Sequence, residues 1–130
     1  MNKTARKEGN RQMIKEISAF ELKSMMESGE SPNILDVRET HEFREGHIPG
    51  ALNIPVNLIP VMTDEIDKSK PWYVICLSGG RSAAAVQYLS ALGWDATNVA
   101  GGMSLWTGEI ETGMSASREK PRNGGASERK

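Results

Sequence analysis

The sequence is poor in cysteine, with Cys76 as its single thiol among 130 residues. One thiol cannot form an intrachain disulfide, and a thiol that must stay reduced fits the reducing cytosol. Long apolar runs are also missing, since none approaches the ~20 residues of a membrane-spanning helix, and the N-terminus offers no apolar signal sequence. We therefore expect a cytoplasmic protein that is neither exported nor associated with a membrane.

The chain also lacks a strong net charge, which is −1, but the charge is unevenly distributed. Residues 1–13 contain four basic and one acidic side chains and residues 118–130 five basic and two acidic, so each end carries +3 and the stretch between them −7. Neither end has an aromatic residue that could stack on a base, so we expect solvated tails and no nucleic-acid partner. We predict flexible tails over 1–13 and 114–130 and one domain over 14–113.

Hydrophobic patterning predicts an alternation of strands and helices. The predicted strands cover residues 14–17, 33–37, 51–54, 72–77 and 96–99. The predicted helical segments run from Ser18 to the terminating Gly29 and over 39–45, 56–67, 81–92 and 103–106. This order predicts an α/β fold with a small, mainly parallel, five-stranded sheet covered by helices on both faces.

The first helix has a clear start signal. Ser18 and Glu21 have the spacing of a capping box, in which each side chain bonds the other residue's backbone N–H. We place Phe20 and Met25 on the buried side of this helix, with Leu22 as a further candidate.

The segment C-L-S-G-G-R, residues 76–81, leaves an apolar strand and enters a helix within six residues. Such a turn points several backbone N–H groups into one space, and Gly79 and Gly80 allow backbone angles that other residues resist. The positive end of the helix and the guanidinium of Arg81 add to this field, so we expect the loop to bind an anion. The same field lowers the pKa of a neighbouring thiol, which makes Cys76 a candidate nucleophile held as a thiolate.

A lone cysteine at the end of an apolar strand is more often a small buried side chain than a nucleophile. Two glycines, a serine and an arginine within the next five residues favour the functional interpretation, because a structural turn needs less donor capacity. Two roles remain open for Ser78, namely a hydrogen bond to the anion or a local hydrogen bond within the turn.

Two further segments complete a pattern with this loop. Residues 35–55 read L-D-V-R-E-T-H-E-F-R-E-G-H-I-P-G-A-L-N-I-P, and residues 101–106 read G-G-M-S-L-W. Together the three segments resemble, in order, signature motifs of the rhodanese family of sulfurtransferases in its single-domain form, over about residues 14–108. The resemblance implies a rhodanese-like fold and ping-pong transfer of sulfane sulfur from thiosulfate or a persulfide donor to a thiol, cyanide or protein acceptor.

Carried over residue by residue, the resemblance implies that Cys76 bears the persulfide. It implies a substrate-binding loop of Leu77, Ser78, Gly79, Gly80 and Arg81. Asp36 and Arg38 match the D-V-R element, which supports the site in the family. Two interpretations of this pair remain open, namely substrate contact or a purely structural pairing of two charges at the end of a buried strand.

Loop length separates sulfur transfer from phosphate chemistry in this fold. The related phosphatases have a loop one residue longer and a histidine before the cysteine, whereas here six residues run from Cys76 through Arg81, and Ile75 precedes the cysteine. We therefore expect sulfur chemistry. We predict neither a metal nor another cofactor, since His41, His47 and Cys76 do not have a zinc-ligand spacing.

The leading hypothesis is thus a sulfurtransferase that takes a small sulfur-containing anion as donor and passes sulfur to a thiol or a small redox protein. Because no second cysteine exists to resolve a persulfide, the acceptor must be external, and an open, monomeric site suits it. The alternatives are a rhodanese-like regulatory or binding module and a thiol protein that handles oxidants or nitrosothiols through Cys76.

Overall fold

Five short strands form one sheet at the centre of the computed structural model, which describes residues 14–114. The strands are β1 (Lys15–Ser18), β2 (Asn33–Asp36), β3 (Leu52–Asn53), β4 (Trp72–Ile75) and β5 (Ala96–Ala100). They lie in the order β1-β5-β4-β2-β3, and every neighbouring pair is parallel. The predicted five-stranded sheet is confirmed, and β4 occupies its middle.

Helices connect the strands, as a parallel sheet requires. The α-helices are α1 (Ala19–Glu27), α2 (Thr40–Glu45) and α3 (Gly80–Ala91). Short 3₁₀ helices cover Val56–Val61, Thr63–Glu65 and Gly102–Leu105. These elements begin and end within two residues of the helical segments predicted from the sequence.

The predicted capping box at the start of α1 is confirmed. The Ser18 hydroxyl oxygen accepts from the Glu21 N–H at 2.9 Å, and Glu21 Oε1 accepts from the Ser18 N–H at 2.8 Å. Because Ser18 also ends β1, the cap fixes the point at which the chain leaves the sheet.

Helices cover both faces of the sheet. Side chains alternate along a strand, so in β4 Val74 lies in one apolar cluster and Ile75 in the other. The first cluster contains Val86 of α3, and the second contains Leu22 of α1 and Phe43 of α2. The predicted arrangement of helices on the two faces is therefore confirmed.

The buried face of α1 differs from the one we predicted. Phe20 is 72% exposed, whereas Ala19 and Leu22 are buried and Met25 packs against their cluster. Since successive helical residues are about 100° apart around the axis, a face centred on positions 19, 22 and 25–26 leaves position 20 towards solvent. The placement of Phe20 on the buried side was wrong.

Some predictions fall outside the described part of the chain. The predicted tail 1–13 lies outside the described residues, and so does the predicted tail 114–130 except for its first residue, Met114. Within residues 14–114 the longest helix has 12 residues, and none is long and apolar enough to cross a membrane.

Leu22→Ala should lower the free energy of unfolding by about 2–4 kcal/mol, because the side chain is fully buried and its removal leaves a cavity. Phe20→Ala is the control on the same helix and should change it by less than about 1 kcal/mol, since most of that side chain is exposed. Denaturant unfolding followed by circular dichroism measures both. A comparable loss for the two variants would contradict the orientation of α1.

Candidate active site

Cys76 lies where β4 ends and the chain turns into α3. Only 1% of its surface is exposed. The neighbouring strand β2 ends at the same level, with Asp36 opposite Ile75, so the D-V-R element and the cysteine loop meet at one edge of the sheet. The carboxyl edge is where open parallel sheets bind ligands.

Two backbone N–H groups and one hydroxyl lie within hydrogen-bond distance of the sulfur of Cys76. The Gly79 N–H lies 3.1 Å from Sγ, and both the N–H and the hydroxyl of Ser82 lie 3.3 Å from it. Burial is the largest single influence and raises the pKa of Cys76, but it is outweighed by the contacts that lower the pKa. These are the Ser82 hydroxyl, when its hydrogen points at the sulfur, and the N–H groups of Ser82, Gly79 and Ser78. The pKa of Cys76 is therefore held below its ordinary value, which favours the thiolate.

Gly79 allows the loop to turn back on the sulfur. Its φ of +112° lies in the left-handed region that glycine adopts without steric cost, and it immediately precedes α3. Leu77, Ser78 and Gly80 are exposed around the turn. These three residues form the mouth of the loop.

The closing G-G-M-S-L-W segment holds the other side of the loop. The Met103 N–H donates to the carbonyl of Cys76 at 2.9 Å, and the Ser104 N–H donates to the carbonyl of Leu77 at 2.8 Å. Gly102 has φ +54°, and a Cβ there would overlap both carbonyl oxygens. The segment therefore fixes the loop's backbone, a role that its sequence did not predict.

Arg81 forms a two-point ion pair with Glu42 of α2. Nη1 donates to Oε1 at 2.8 Å and Nη2 to Oε2 at 3.1 Å. The hydrogen bond from Arg81 lowers the pKa of Glu42 to about 2, and the same bond raises the pKa of Arg81. A negative charge on Cys76 also raises the pKa of Arg81, so the guanidinium lies within the field of the sulfur. Its planar fork, however, faces a carboxylate and is not left free for an anion.

Asp36 and Arg38 pair with each other inside the protein, 0% and 5% exposed. Arg38 Nη2 donates to Asp36 Oδ2 at 2.8 Å and to the Gly46 carbonyl at 2.7 Å, and Arg38 Nε donates to Asp36 Oδ1 at 3.0 Å. The amide of Asn53 donates to the carbonyls of both residues. These contacts fit the structural interpretation of the pair better than substrate contact.

The histidines lie in different surroundings. His47 is buried, stacks on the ring of Phe43 at 3.6 Å between centroids, and bonds the Phe43 carbonyl through Nδ1 at 2.7 Å. His41 is exposed on α2. Among residues 14–114 there is no group of three or more His, Cys, Asp or Glu side chains that could hold a metal.

Two residues of the site were not predicted from the sequence. Ser82 follows the loop directly and supplies two of the three groups that lie within hydrogen-bond distance of Cys76 Sγ. Its position after the arginine is a signal that could have been used, since the residues at the start of a helix point their N–H groups along its axis. Glu42 carried no such signal, because its pairing with Arg81 spans 39 positions.

The fold and this loop define a rhodanese-type domain, with a parallel sheet, a cysteine at the end of its middle strand and backbone donors around the sulfur. A family model described as the rhodanese-like domain matches residues 18–109. The chain belongs to this family, as its sequence motifs predicted.

Individual relatives cover most of the same region. The chain is 44% identical to YtwF of Bacillus subtilis over 98 residues, which cover 75% of this chain and 95% of that protein. It is 34% identical to the thiosulfate sulfurtransferase GlpE of Shewanella oneidensis over 94 residues, 72% of this chain and 92% of that one. A crystal structure of a rhodanese-like domain protein from Staphylococcus aureus matches with TM-score 0.72 and 40% identity, over 76% of this chain and 98% of that one.

Gly102→Ala should lower the free energy of unfolding by roughly 2–4 kcal/mol and slow the alkylation of Cys76, because the new Cβ must displace the loop carbonyls. Gly29→Ala is the control: Gly29 also has a positive φ, +99°, but a Cβ there meets nothing within 4 Å. Only the backbone cost of about 1 kcal/mol is expected for it. Denaturant unfolding and iodoacetamide kinetics measure the two effects, and equal losses would show that the carbonyl contact is unimportant.

The Glu42–Arg81 pair should make stability fall in acid. The folded-state pKa of Glu42 is lowered from 4.5 to about 2, so the pair contributes fully above pH 4.5 and its contribution is lost as the pH falls towards 2. Because the pair is partly exposed, solvent screening limits this contribution to about 1 kcal/mol. Unfolding free energies measured across this window should fall less steeply for Glu42→Gln than for the wild type. Glu27→Gln, an exposed carboxylate of α1, should leave the slope unchanged.

Proposed function

We propose that the protein is a sulfurtransferase that moves sulfane sulfur from thiosulfate or a persulfide donor to a thiol, cyanide or a protein acceptor through a persulfide on Cys76. The observation that carries the proposal is the convergence of the backbone N–H groups of Gly79 and Ser82 on Cys76 Sγ, at 3.1 and 3.3 Å. Such donors stabilise a thiolate before transfer and an anionic persulfide after it. One loop then serves both halves of a ping-pong reaction.

In the loading step, the Cys76 thiolate attacks the outer sulfur of the donor. A new S–S bond forms, the donor's own bond to that sulfur breaks, and the bonding pair leaves with sulfite when thiosulfate is the donor or with a thiolate when a persulfide is. The persulfide carries its negative charge on the outer sulfur, about 2 Å beyond Sγ, while Sγ stays beside the N–H groups of Gly79 and Ser82.

In the unloading step, an acceptor thiolate or cyanide attacks the outer sulfur of the Cys76 persulfide. The S–S bond to Cys76 breaks and its electron pair returns to Sγ, which regenerates the thiolate. The product is a persulfide of the acceptor or thiocyanate, and no external oxidant or reductant is consumed.

Two observations bear on the donor. The loop's N–H groups, the nearby Arg81 and the similarity to GlpE, which is named a thiosulfate sulfurtransferase, support a small sulfur oxyanion. Glu42 acts the other way, because its carboxylate pairs with Arg81 and repels a dianion at the mouth of the loop. A thiol persulfide carries less charge at its reacting end and meets less of this repulsion.

The proposed acceptor is an external thiol or a small redox protein, since Cys76 is the only cysteine in the sequence. Leu77 is 46% exposed at the mouth of the loop and offers it an apolar contact. We further propose that the protein acts in the cytoplasm as a monomer, with no metal, other cofactor, nucleic acid or membrane taking part. A purely regulatory or binding module would not need the donors that lower the pKa of Cys76.

Incubation of the protein with thiosulfate, and separately with a persulfide donor such as glutathione persulfide, should raise its intact mass by one sulfur atom. Cys76→Ser should gain none while keeping the circular dichroism spectrum of the wild type. Cyanide should then remove the added mass and release thiocyanate. This last step matters because two oxygen atoms on a sulfinic acid weigh nearly as much as one sulfur, and a sulfinic acid does not yield thiocyanate.

The proposal fails if the wild type gains no cyanide-labile sulfur from either kind of donor. Gain of oxygen without thiocyanate release would favour the redox alternative.

A further inference from the structure

The hydroxyl of Ser82 has one hydrogen and three acceptors within reach. Its Oγ lies 2.6 Å from Asn98 Oδ1, 3.2 Å from the Gly79 carbonyl and 3.3 Å from Cys76 Sγ. A hydroxyl can donate fully to only one partner at a time. Asn98, on β5, is therefore in competition with the sulfur for this hydrogen.

The orientation of the Asn98 amide follows from its other contacts. Its Nδ2 lies 3.0 Å from Glu16 Oε2 and 3.5 Å from the Gly79 carbonyl. An ionised carboxylate and a carbonyl only accept hydrogen bonds, so the amino end of the amide must face them. The oxygen end is left facing Ser82, and since an amide oxygen also only accepts, the Ser82 hydrogen must point at Asn98 for that short contact to be favourable.

We propose that Asn98 is a positioning residue that holds the hydroxyl hydrogen of Ser82 away from Cys76 Sγ, and so sets the acidity and nucleophilicity of the cysteine. In this arrangement the Ser82 oxygen presents a lone pair to the sulfur and accepts the S–H of the neutral thiol. The thiolate then depends on the backbone N–H groups of Gly79 and Ser82, which cannot turn away.

The expected consequence is that the Cys76 thiol is less acidic than it would be if the Ser82 hydroxyl donated to its sulfur. The Ser82 hydroxyl is the strongest of the contacts that lower the pKa of Cys76, and it acts fully only when it is released from Asn98. A less acidic thiol gives a more nucleophilic thiolate, with a Brønsted slope of about 0.4–0.5. Asn98 thus lowers the fraction of Cys76 that is thiolate at a given pH and raises the reactivity of each thiolate.

The effect of nearby charges on the pKa of Cys76 must be distinguished from the effect of the hydrogen bonds. Arg81 of α3 acts on Cys76 directly, and Glu42 of α2 pairs with Arg81. Glu16 of β1 adds a negative charge behind Asn98. A variant that changes one of these charges shifts the titration of Cys76 through space, whether or not the Ser82 hydroxyl turns, so the test compares each variant with and without that hydroxyl.

The test is the pH dependence of iodoacetamide alkylation of Cys76 in the full chain, in a double-mutant cycle. Asn98→Leu removes the competing acceptor at similar volume and should lower the apparent pKa of Cys76 by roughly one pH unit, as one added hydrogen bond to an anion does. The limiting rate at high pH should fall about threefold. In the Ser82→Ala background the same substitution should change neither quantity.

Glu16→Gln provides a second route, on an exposed residue whose replacement spares the core. A glutamine can accept or donate, so the Asn98 amide becomes free to reverse and donate to Ser82, which turns the hydroxyl towards the sulfur. The apparent pKa should again fall, and by more in the Ser82 background than in Ser82→Ala, where only the effect of charge remains. Glu27→Gln is the matched charge control and should have no effect in either background.

The proposal is overturned if these substitutions leave the apparent pKa unchanged, or lower it equally with and without the Ser82 hydroxyl. It rests on the proposed function only in treating Cys76 as the nucleophile. Alkylation needs no sulfur donor, so failure of sulfur loading with the expected pKa changes would count against the sulfurtransferase alone. Normal sulfur loading without them would count against the role of Asn98 alone.

Discussion

Backbone N–H groups of Gly79 and Ser82 point at one sulfur atom, and the path of the chain between β4 and α3 is what directs them there. The left-handed backbone at Gly79 turns the loop inwards. On the opposite side, the N–H groups of Met103 and Ser104 bond the carbonyls of Cys76 and Leu77, so these two acceptors are occupied while the loop's N–H groups face the sulfur. This separation of donors from acceptors makes the buried position of Cys76 suitable for a negative charge.

Two charged side chains near the loop, Arg81 and Asp36, each have a partner of opposite charge. Arg81 is held by Glu42 at the rim, and Asp36 is held by Arg38 on the neighbouring strand. A free guanidinium beside the loop would strengthen the binding of any anion and would not discriminate between anions. Pairing reduces the net field while keeping the positive group close, so the fixed N–H dipoles, whose direction matters, contribute a larger share of the stabilisation.

The part of the site that could be predicted is local in sequence. An apolar strand, two glycines and a helix within residues 72–92 are enough to predict a loop of donors, because each element's signal lies within a few residues. Contacts between distant positions carried no such signal. Glu42 meets Arg81 across 39 positions and Asn98 meets Ser82 across 16, and both depend on the order in which the strands assemble. The sequence predicts the elements, whereas the contacts that tune the sulfur follow from how the elements pack.

The burial of Cys76 also restricts which partner can complete the proposed reaction. With 1% of its surface exposed, the thiolate is reached only by a small group that fits between the exposed residues of the loop. A persulfide places its outer sulfur about 2 Å beyond Sγ. The acceptor therefore needs to reach only that outer atom, while Sγ remains within its hydrogen bonds as the leaving group. Since those bonds stabilise the departing thiolate, the contacts that hold the resting cysteine also favour release of sulfur to the acceptor.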